Sequence, residues 1–371
     1  MKNEIVKKQQ EMMKREGIEA LVVLSPENTR YASGTTIPSQ PVMRDRKVIC
    51  VTPVEGEPVF IVVNIEEEYA ATYSFIKDVR AYNEFTENQM LFLADVLREL
   101  GLSDAKIGIE LDFLPAEDFN TLQNALPNME FIGIKELFSE MRMIKTKEEI
   151  EVLREIGHIA EETLIRAFEQ IKSGMKEKDI ASIIASEYYA LGGERIQLLT
   201  VTSGERTSML NASATDRVLK AGDLIRIDFL GTVSGYYHDI CRMGIIGEPT
   251  EEHKKIWGGI VEGRKMVHEQ IKAGANTKDI YDLYQDYAIK NSLMPINFVG
   301  HGLGLGVHEE PYIGKYGGII LKPNMVLCVE PIHVIPNKVG FQLEDQVLVT
   351  ETGYELLTGG AKSEELIIIN K

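Results

Sequence analysis

Four carboxylates and two histidines carry the chemistry this sequence can do. Asp228 and Asp239 stand in LIRIDFLGTVSGYYHDICRM (224–243), where two strand-like runs flank GTVSG. Glu330 and Glu344 stand in MVLCVEPIHVIPNKVGFQLEDQVLV (325–349), where strand-like runs flank IPNKVG. With Val233 and Ser234 at the first tip, Asp228 faces Asp239; with Asn337 at the second, Glu330 faces Glu344. Cross-strand partners have Cβ atoms roughly 4.5–5.5 Å apart, a distance at which like charges repel. Aspartate is also a poor strand former. The alternate residues Ile225, Ile227, Phe229 and Val329 are apolar, so neither face of these strands is plainly wet. Buried, unpaired carboxylates are costly. Divalent cations among them turn repulsion into attraction.

A third stretch, GHGLGLGVHEEP (300–311), supplies the imidazoles. Glycines at 300, 302, 304 and 306 let a backbone pass close to something else. His301 can ligate through one ring nitrogen. His308 can donate a hydrogen bond to a substrate oxygen as charge grows there. Carboxylate oxygens with one imidazole suit Mn, Co, Fe or Zn. His158, His253 and His268 fall in helical stretches and read as ordinary packed or surface residues. His238 and His333 lie in the hairpins, and both packing and a place in the site stay open for them. Cys241 and Cys328, each two residues from a candidate ligand, read as packing residues.

The elements that must position these groups follow from pattern. Thr146-Lys147-Glu148-Glu149 reads as a capping box. Behind it Ile150, Leu153, Ile156, Leu164, Phe168 and Ile171 form an apolar stripe that stops at Gly174. Further helices are expected at about 177–191, 251–272 and 277–291, with short strands between. An internal repeat runs through this half: IKSGMKEKDI (171–180) and IKAGANTKDI (271–280) share six of ten residues, and each copy precedes a carboxylate-bearing hairpin. The first part of the chain alternates instead. Strand signals at 18–24, 48–63 and 105–111 and a helical run at 91–101 predict an α/β domain with a central sheet. The boundary is expected near 140, giving domains 1–140 and 141–371.

Composition excludes several classes. The chain has 371 residues and a net charge of −17, so the basic footprint of a nucleic-acid or acidic-membrane binder is missing. The charged start MKNEIVKKQQEMMKREG has no apolar signal-peptide core, and no apolar run approaches a membrane span. Three scattered cysteines make a disulfide framework improbable and point to the cytoplasm.

Taken together, Asp228 in IDFLG, Asp239 in YYHDICR, His301 in GHGLG, Glu330 in VEP and Glu344 in LEDQVLVT resemble the creatinase/prolidase/aminopeptidase P/methionine aminopeptidase family, with its "pita-bread" fold. MIKTKEEIEVLREI (143–156) resembles the family's linker and first helix. LVVLSPENTRYASG (21–34) resembles the N-terminal domain of the prolidase and creatinase branch. The resemblance covers nearly the whole chain and is nearest to Xaa-Pro dipeptidase-like members. It implies an α/β N-terminal domain with a mixed sheet and an α+β pita-bread catalytic domain with an internal pseudo-two-fold repeat. It also implies two divalent cations: Asp228 on one, His301 and Glu330 on the other, Asp239 and Glu344 bridging. His308 would stabilise the tetrahedral intermediate, and Glu330 would shuttle a proton to the leaving nitrogen. The expected reaction is hydrolysis of a C–N bond, Xaa-Pro in a small peptide, by a homodimer.

Three positions depart from the family pattern. Leu210-Asn211 replace a Pro-His pair, Gln342 replaces an Arg, and Ile332 replaces the Gly after Glu-Pro. Asn211 cannot take up a proton, and Gln342 removes a fixed positive charge. With His238 and His333, these two are the candidate substrate-binding residues. The departures keep two alternatives open: a creatinase- or ectoine-hydrolase-like enzyme acting on a small non-peptide substrate, and a non-catalytic metal-binding member of the fold.

Overall fold

The apolar runs of the N-terminal unit become strands. A computed structural model describes residues 2–359 and 364–369. It divides into two units, Met1–Arg142 and Met143–Lys371. In the first, β1 (Ala20–Val23), β2 (Ile49–Pro53), β3 (Val59–Val63), β4 (Asp78–Tyr82), β5 (Lys106–Ile109) and β6 (Glu130–Gly133) form one sheet ordered β4-β3-β2-β1-β5-β6. β1 and β2 pair antiparallel, while β1 and β5 pair parallel, so the sheet is mixed. Helices α1 (Lys2–Glu16), α2 (Pro26–Ser33), α3 (Glu67–Tyr73), α4 (Gln89–Glu99), α5 (Ala116–Ala125) and α6 (Lys135–Met143) complete the series. The buried Val22, Ile61, Leu93 and Ile107 belong to one core.

The second unit opens with the capping box. Glu149 N donates to Thr146 Oγ1 at 3.3 Å, and Thr146 N donates to the Glu149 carboxylate at 2.7 Å. Helices α7 (Lys147–Gln170) and α8 (Glu177–Ala190) lead to β7 (Arg195–Ser203), β8 (Leu224–Val233) and β9 (Tyr236–Ile246). Helices α9 (Glu251–Gln270) and α10 (Thr277–Lys290) lead to β10 (Phe298–Gly302), β11 (Glu309–Gly314), β12 (Val326–Val329), β13 (Ile332–Ile335), β14 (Val339–Gln342) and β15 (Asp345–Val349), with β16 (Tyr354–Leu356) and β17 (Ile367–Ile369) at the end.

The repeated decapeptide is the joint of each half. Both copies end one helix, turn at a glycine with φ +86° (Gly174 and Gly274), and start the next helix. Left-handed backbone there needs a residue without Cβ. Ile171 and Ile180 are buried in one half's core, and Ile271 and Ile280 in the other's. Sequence repetition therefore becomes a pseudo-two-fold repeat of helix pair and sheet. The sheets are β17-β9-β8-β7 and β11-β10-β12-β15-β16, with β13–β14 as a separate ribbon.

The second hairpin has the expected register. Ile332 pairs with Gln342 and Ile335 with Val339, around Asn337 at φ 59°. Val329 pairs with Asp345 in the adjoining ladder, so Glu330 and Glu344 stand opposite at the junction. The first hairpin differs. Its turn is Ser234-Gly235, with φ of 52° and 76°, not Val233-Ser234. Two-residue turns with both φ positive match the twist of the strands, and Gly235 accepts that conformation freely. Val233 then pairs with Tyr236, Asp228 with Cys241, and Leu230 with Asp239. The two aspartates are diagonal neighbours rather than direct partners. Since the shift is two residues, both keep the face expected of them.

Candidate metal centre

One backbone junction brings the two hairpins together. Glu344 N donates to the Cys241 carbonyl at 3.3 Å, and these residues form an isolated antiparallel bridge. Cys241 also pairs with Asp228. Asp228, Asp239 and Glu344 therefore look into one hollow. On the other sheet His301 pairs with Cys328, two residues before Glu330, which sets His301 and Glu330 on that same side. The glycines make the approach possible: a Cβ on Gly300 would lie 2.5 Å from the Cys328 carbonyl oxygen, and one on Gly302 would lie 2.4 Å from that of Glu310.

His301 is fully buried. Its Nδ1 lies 3.0 Å from the Gly302 carbonyl oxygen, which can only accept, so Nδ1 carries a hydrogen. Nε2 then faces Glu330 Oε1 at 3.4 Å, Glu344 Oε1 at 3.9 Å and Asp239 Oδ2 at 4.0 Å. His301 Nε2, Asp239 Oδ1 and Glu344 Oε1 have no hydrogen-bond partner among the described residues. Converging, unpartnered ligand atoms are an arrangement a cation satisfies, and the donor set of carboxylates and imidazole suits a divalent ion. Ligand atoms of Asp239, His301, Cys328 and Glu344 all lie within 4.8 Å of one another, as do those of His301, His308 and Glu330.

Burial and mutual repulsion raise the Asp228, Asp239 and Glu344 carboxyls of the hollow. Burial pushes Asp228 up to about 6, with Arg226 pulling the other way and Glu330 adding to the rise. Burial holds Asp239 well above the usual carboxylate range, helped by Asp228 and Glu330. Glu344 is raised in the same way, by burial and then by Asp239 and Glu330. Arg242 fixes the Glu344 backbone, donating to its carbonyl at 2.6 Å while pairing with Asp345 at 2.6 Å.

A cavity of about 440 Å³ opens beside these groups, within the ~300–1,000 Å³ range of small-molecule sites. Asp228, Asp239, Glu330, Glu344, His308, Asn211 and Gln342 line it, with Leu198, Leu230, Phe298 and Ile332 as apolar wall. His308 stacks on His301 with ring centroids 3.8 Å apart and planes 12° from parallel. The loop carrying Asn211 hangs on buried Glu177, which accepts hydrogen bonds from Ser203, Arg206 and Thr215.

Two candidates fall elsewhere. His238 alternates with Asp239 along β9 and turns to the opposite face, where its ring packs 4.5 Å from Phe229 and 5.3 Å from Tyr188. His333 lines a different cavity; its Nδ1 accepts from Met294 N at 2.9 Å, so it braces a residue of the site's wall. Cys241 and Cys328 are buried free thiols. Cys328 donates to the Asp239 carbonyl at 3.9 Å, and burial pushes its thiol up, as do Glu344 and Asp239.

One residue was missed. Arg226 is fully buried beside Asp228, and its guanidinium reaches Gln342. The expected loss of positive charge at position 342 is made good from the neighbouring sheet. The signal was present in LIRID: an arginine inside an apolar strand, two residues before an aspartate, shares its face.

A four-carboxylate, one-imidazole hollow in a repeated helix-and-sheet frame defines the class, a metal-dependent hydrolase on the pita-bread fold. The family model of metallopeptidase family M24 matches residues 151–351, and that of the creatinase/prolidase N-terminal domain matches residues 6–144. The chain belongs to metallopeptidase family M24. It is 30% identical to an Xaa-Pro dipeptidase of Pyrococcus furiosus over 93% of this chain and 95% of that one. It is 28% identical to the Xaa-Pro dipeptidase of Pyrococcus horikoshii over 96% of this chain and 97% of the other. Among solved structures, an X-Pro aminopeptidase from Thermotoga maritima superposes with a TM-score of 0.88 at 27% identity, covering 98% of this chain and 99% of that one. No helix among the described residues is long and apolar enough to cross a membrane.

Proposed function

We propose that this chain hydrolyses the amide bond before proline in short peptides, with Asp228, Asp239, His301, Glu330 and Glu344 holding two divalent cations. Asp239 and Glu344 would bridge them. The observation that carries the reading is His301 Nε2, buried without a hydrogen-bond partner among the described residues and within 4.0 Å of three carboxylates. The Xaa-Pro preference is supported by the names of the two Pyrococcus relatives and by an apolar wall suited to a pyrrolidine ring.

When bound, the cations would polarise the scissile carbonyl and acidify a water molecule. The side chains do the rest. Glu330, at the cavity wall and bonded to Gln342, carries a proton toward the leaving nitrogen. His308 donates to the substrate oxygen as its charge grows. Leu198, Leu230, Phe298 and Ile332 hold the apolar part of the substrate and keep water off it. The ion would be Mn, Co, Fe or Zn, and the enzyme a cytoplasmic homodimer, a state that sedimentation equilibrium would check.

A second reading keeps the chemistry and changes the substrate. Asn211 and Gln342 line the cavity where the family pattern has an imidazole and a guanidinium; Arg226 restores the charge beside 342, but the missing imidazole at 211 favours a small non-peptide C–N compound of the creatinase or ectoine-hydrolase kind. One panel decides: Xaa-Pro dipeptides against cyclic amidines and guanidino acids, with Mn or Co present and metal content measured. Turnover of the dipeptides with two metals per chain supports the first reading. No dipeptide turnover sinks it.

A further inference from the structure

Arg226 lies at 0% exposure in β8, between Ile225 and Ile227. A buried guanidinium is stable only where its charge is answered. Its two terminal nitrogens bond to Asp228, Gln342, Thr200, Met209 and Leu210, of which Asp228, Gln342 and Leu210 line the cavity, while Nε has no partner among the described residues. Nη1 donates to Asp228 Oδ2 at 3.0 Å and to Gln342 Oε1 at 2.5 Å. The other end of the Gln342 amide, Nε2, donates to Glu330 Oε2 at 3.2 Å. Arg226 Nη2 donates to the Leu210 carbonyl, next to Asn211, and to Thr200 Oγ1 at 3.4 Å. The chain Asp228–Arg226–Gln342–Glu330 thus joins two carboxylates that sit on different hairpins.

We propose that Arg226 is a positioning residue for both the metal ligands and the substrate wall. Through one guanidinium it orients Asp228 directly, Glu330 by way of the Gln342 amide, and the Asn211 segment by way of the Leu210 carbonyl. An amide is suited to the relay because it accepts from the cation at one end and donates to the carboxylate at the other. A second cation at 342 would crowd the first. The pair of residues 226 and 342 is therefore one unit, and the positive charge can stand on either strand but not on neither. This inference rests on the reading that Asp228 and Glu330 hold cations.

The test is a side-chain swap in the full-length protein, read by titration calorimetry with Co²⁺ and by separate kcat and KM values. Arg226→Gln should weaken cobalt binding at least tenfold. Arg226→Gln with Gln342→Arg returns a guanidinium to the same space and should recover affinity to within about threefold of wild type. Should Arg226→Gln fail to fold, Gln342→Leu keeps the guanidinium and cuts the link to Glu330; a threefold to tenfold loss of affinity at unchanged melting temperature is expected. Wild-type affinity in Arg226→Gln, a swap no better than the single variant, or an unchanged Gln342→Leu overturns the inference. A wild type that binds cobalt yet cleaves no Xaa-Pro peptide sinks the peptidase reading alone, and the swap still decides this one.

Discussion

The imidazoles of His301 and His308 lie face to face, centroids 3.8 Å apart and planes 12° from parallel, although only His301 is buried. Stacking sets the height of the His308 ring against the proposed ligand without sharing its lone pair. His308→Ala should therefore leave metal content near wild type while kcat falls roughly 10²–10³-fold, the usual loss of one oxyanion donor. Metal analysis beside kinetics checks this. Loss of metal instead would make His308 a ligand.

Glu344 gives a prediction in which the sign reverses with the cation. Without one, its buried carboxylate is disfavoured by burial and by Asp239 and Glu330. Glu344→Gln should raise the melting temperature of the chelated protein by roughly 1–4 °C, about 1–2 kcal/mol on the usual scaling. In the same variant the melting gain on adding Mn or Co should shrink, since a bridging ligand is gone. Calorimetry with and without chelator reads both. A variant less stable than wild type in chelator would mean the carboxylate is paired in a way the hollow does not provide.

His268 offers a pH test away from the cavity. It is buried near Tyr354, Asp345 and Arg264, and burial pulls its ring down to about 4, Asp345 opposing and Arg264 assisting. A base with a lowered folded pKa favours the neutral form. Its contribution is complete above about 6.5, fades as pH falls from there toward 4, and is level below that. The loss amounts to at most about 3 kcal/mol. His268→Phe should flatten the fall in melting temperature over that window. An unchanged acid limb would show that other groups govern it.

The turn Ser234-Gly235 holds Asp239 in register, so it should be sensitive to substitution. Gly235→Ala places a Cβ in left-handed backbone at φ 76° and should cost about 1–2 kcal/mol. Ser234→Asn should be neutral or stabilising, because asparagine favours the first position of this turn. Denaturant melts of the two variants should move in these directions; equal loss in both would argue against a two-residue turn.

Much of this site could be read along the chain. The Thr146 capping box, the Gly174 and Gly274 joints and the Glu330/Glu344 register are local, set by spacing within a few residues. The tip of the first hairpin was misplaced by one residue because SerGly and ValSer both fit between the strands, and only the φ values separate them. His238 and His333 could not be sorted by position: a hairpin histidine takes its face from the register, and its neighbours from elements far away in sequence.

Periodicity of two told which carboxylates share a face, while His301 stood out from its glycine-spaced stretch and the set of five came from the family resemblance. The periodicity said nothing about which faces meet. The Cys241–Glu344 junction, more than a hundred residues apart in the chain, brings one hairpin's aspartates to the other's glutamates. The same closure lets Arg226 on one strand supply the charge that position 342 lacks, because a buried charge is balanced by whatever lies near it in space, not in sequence.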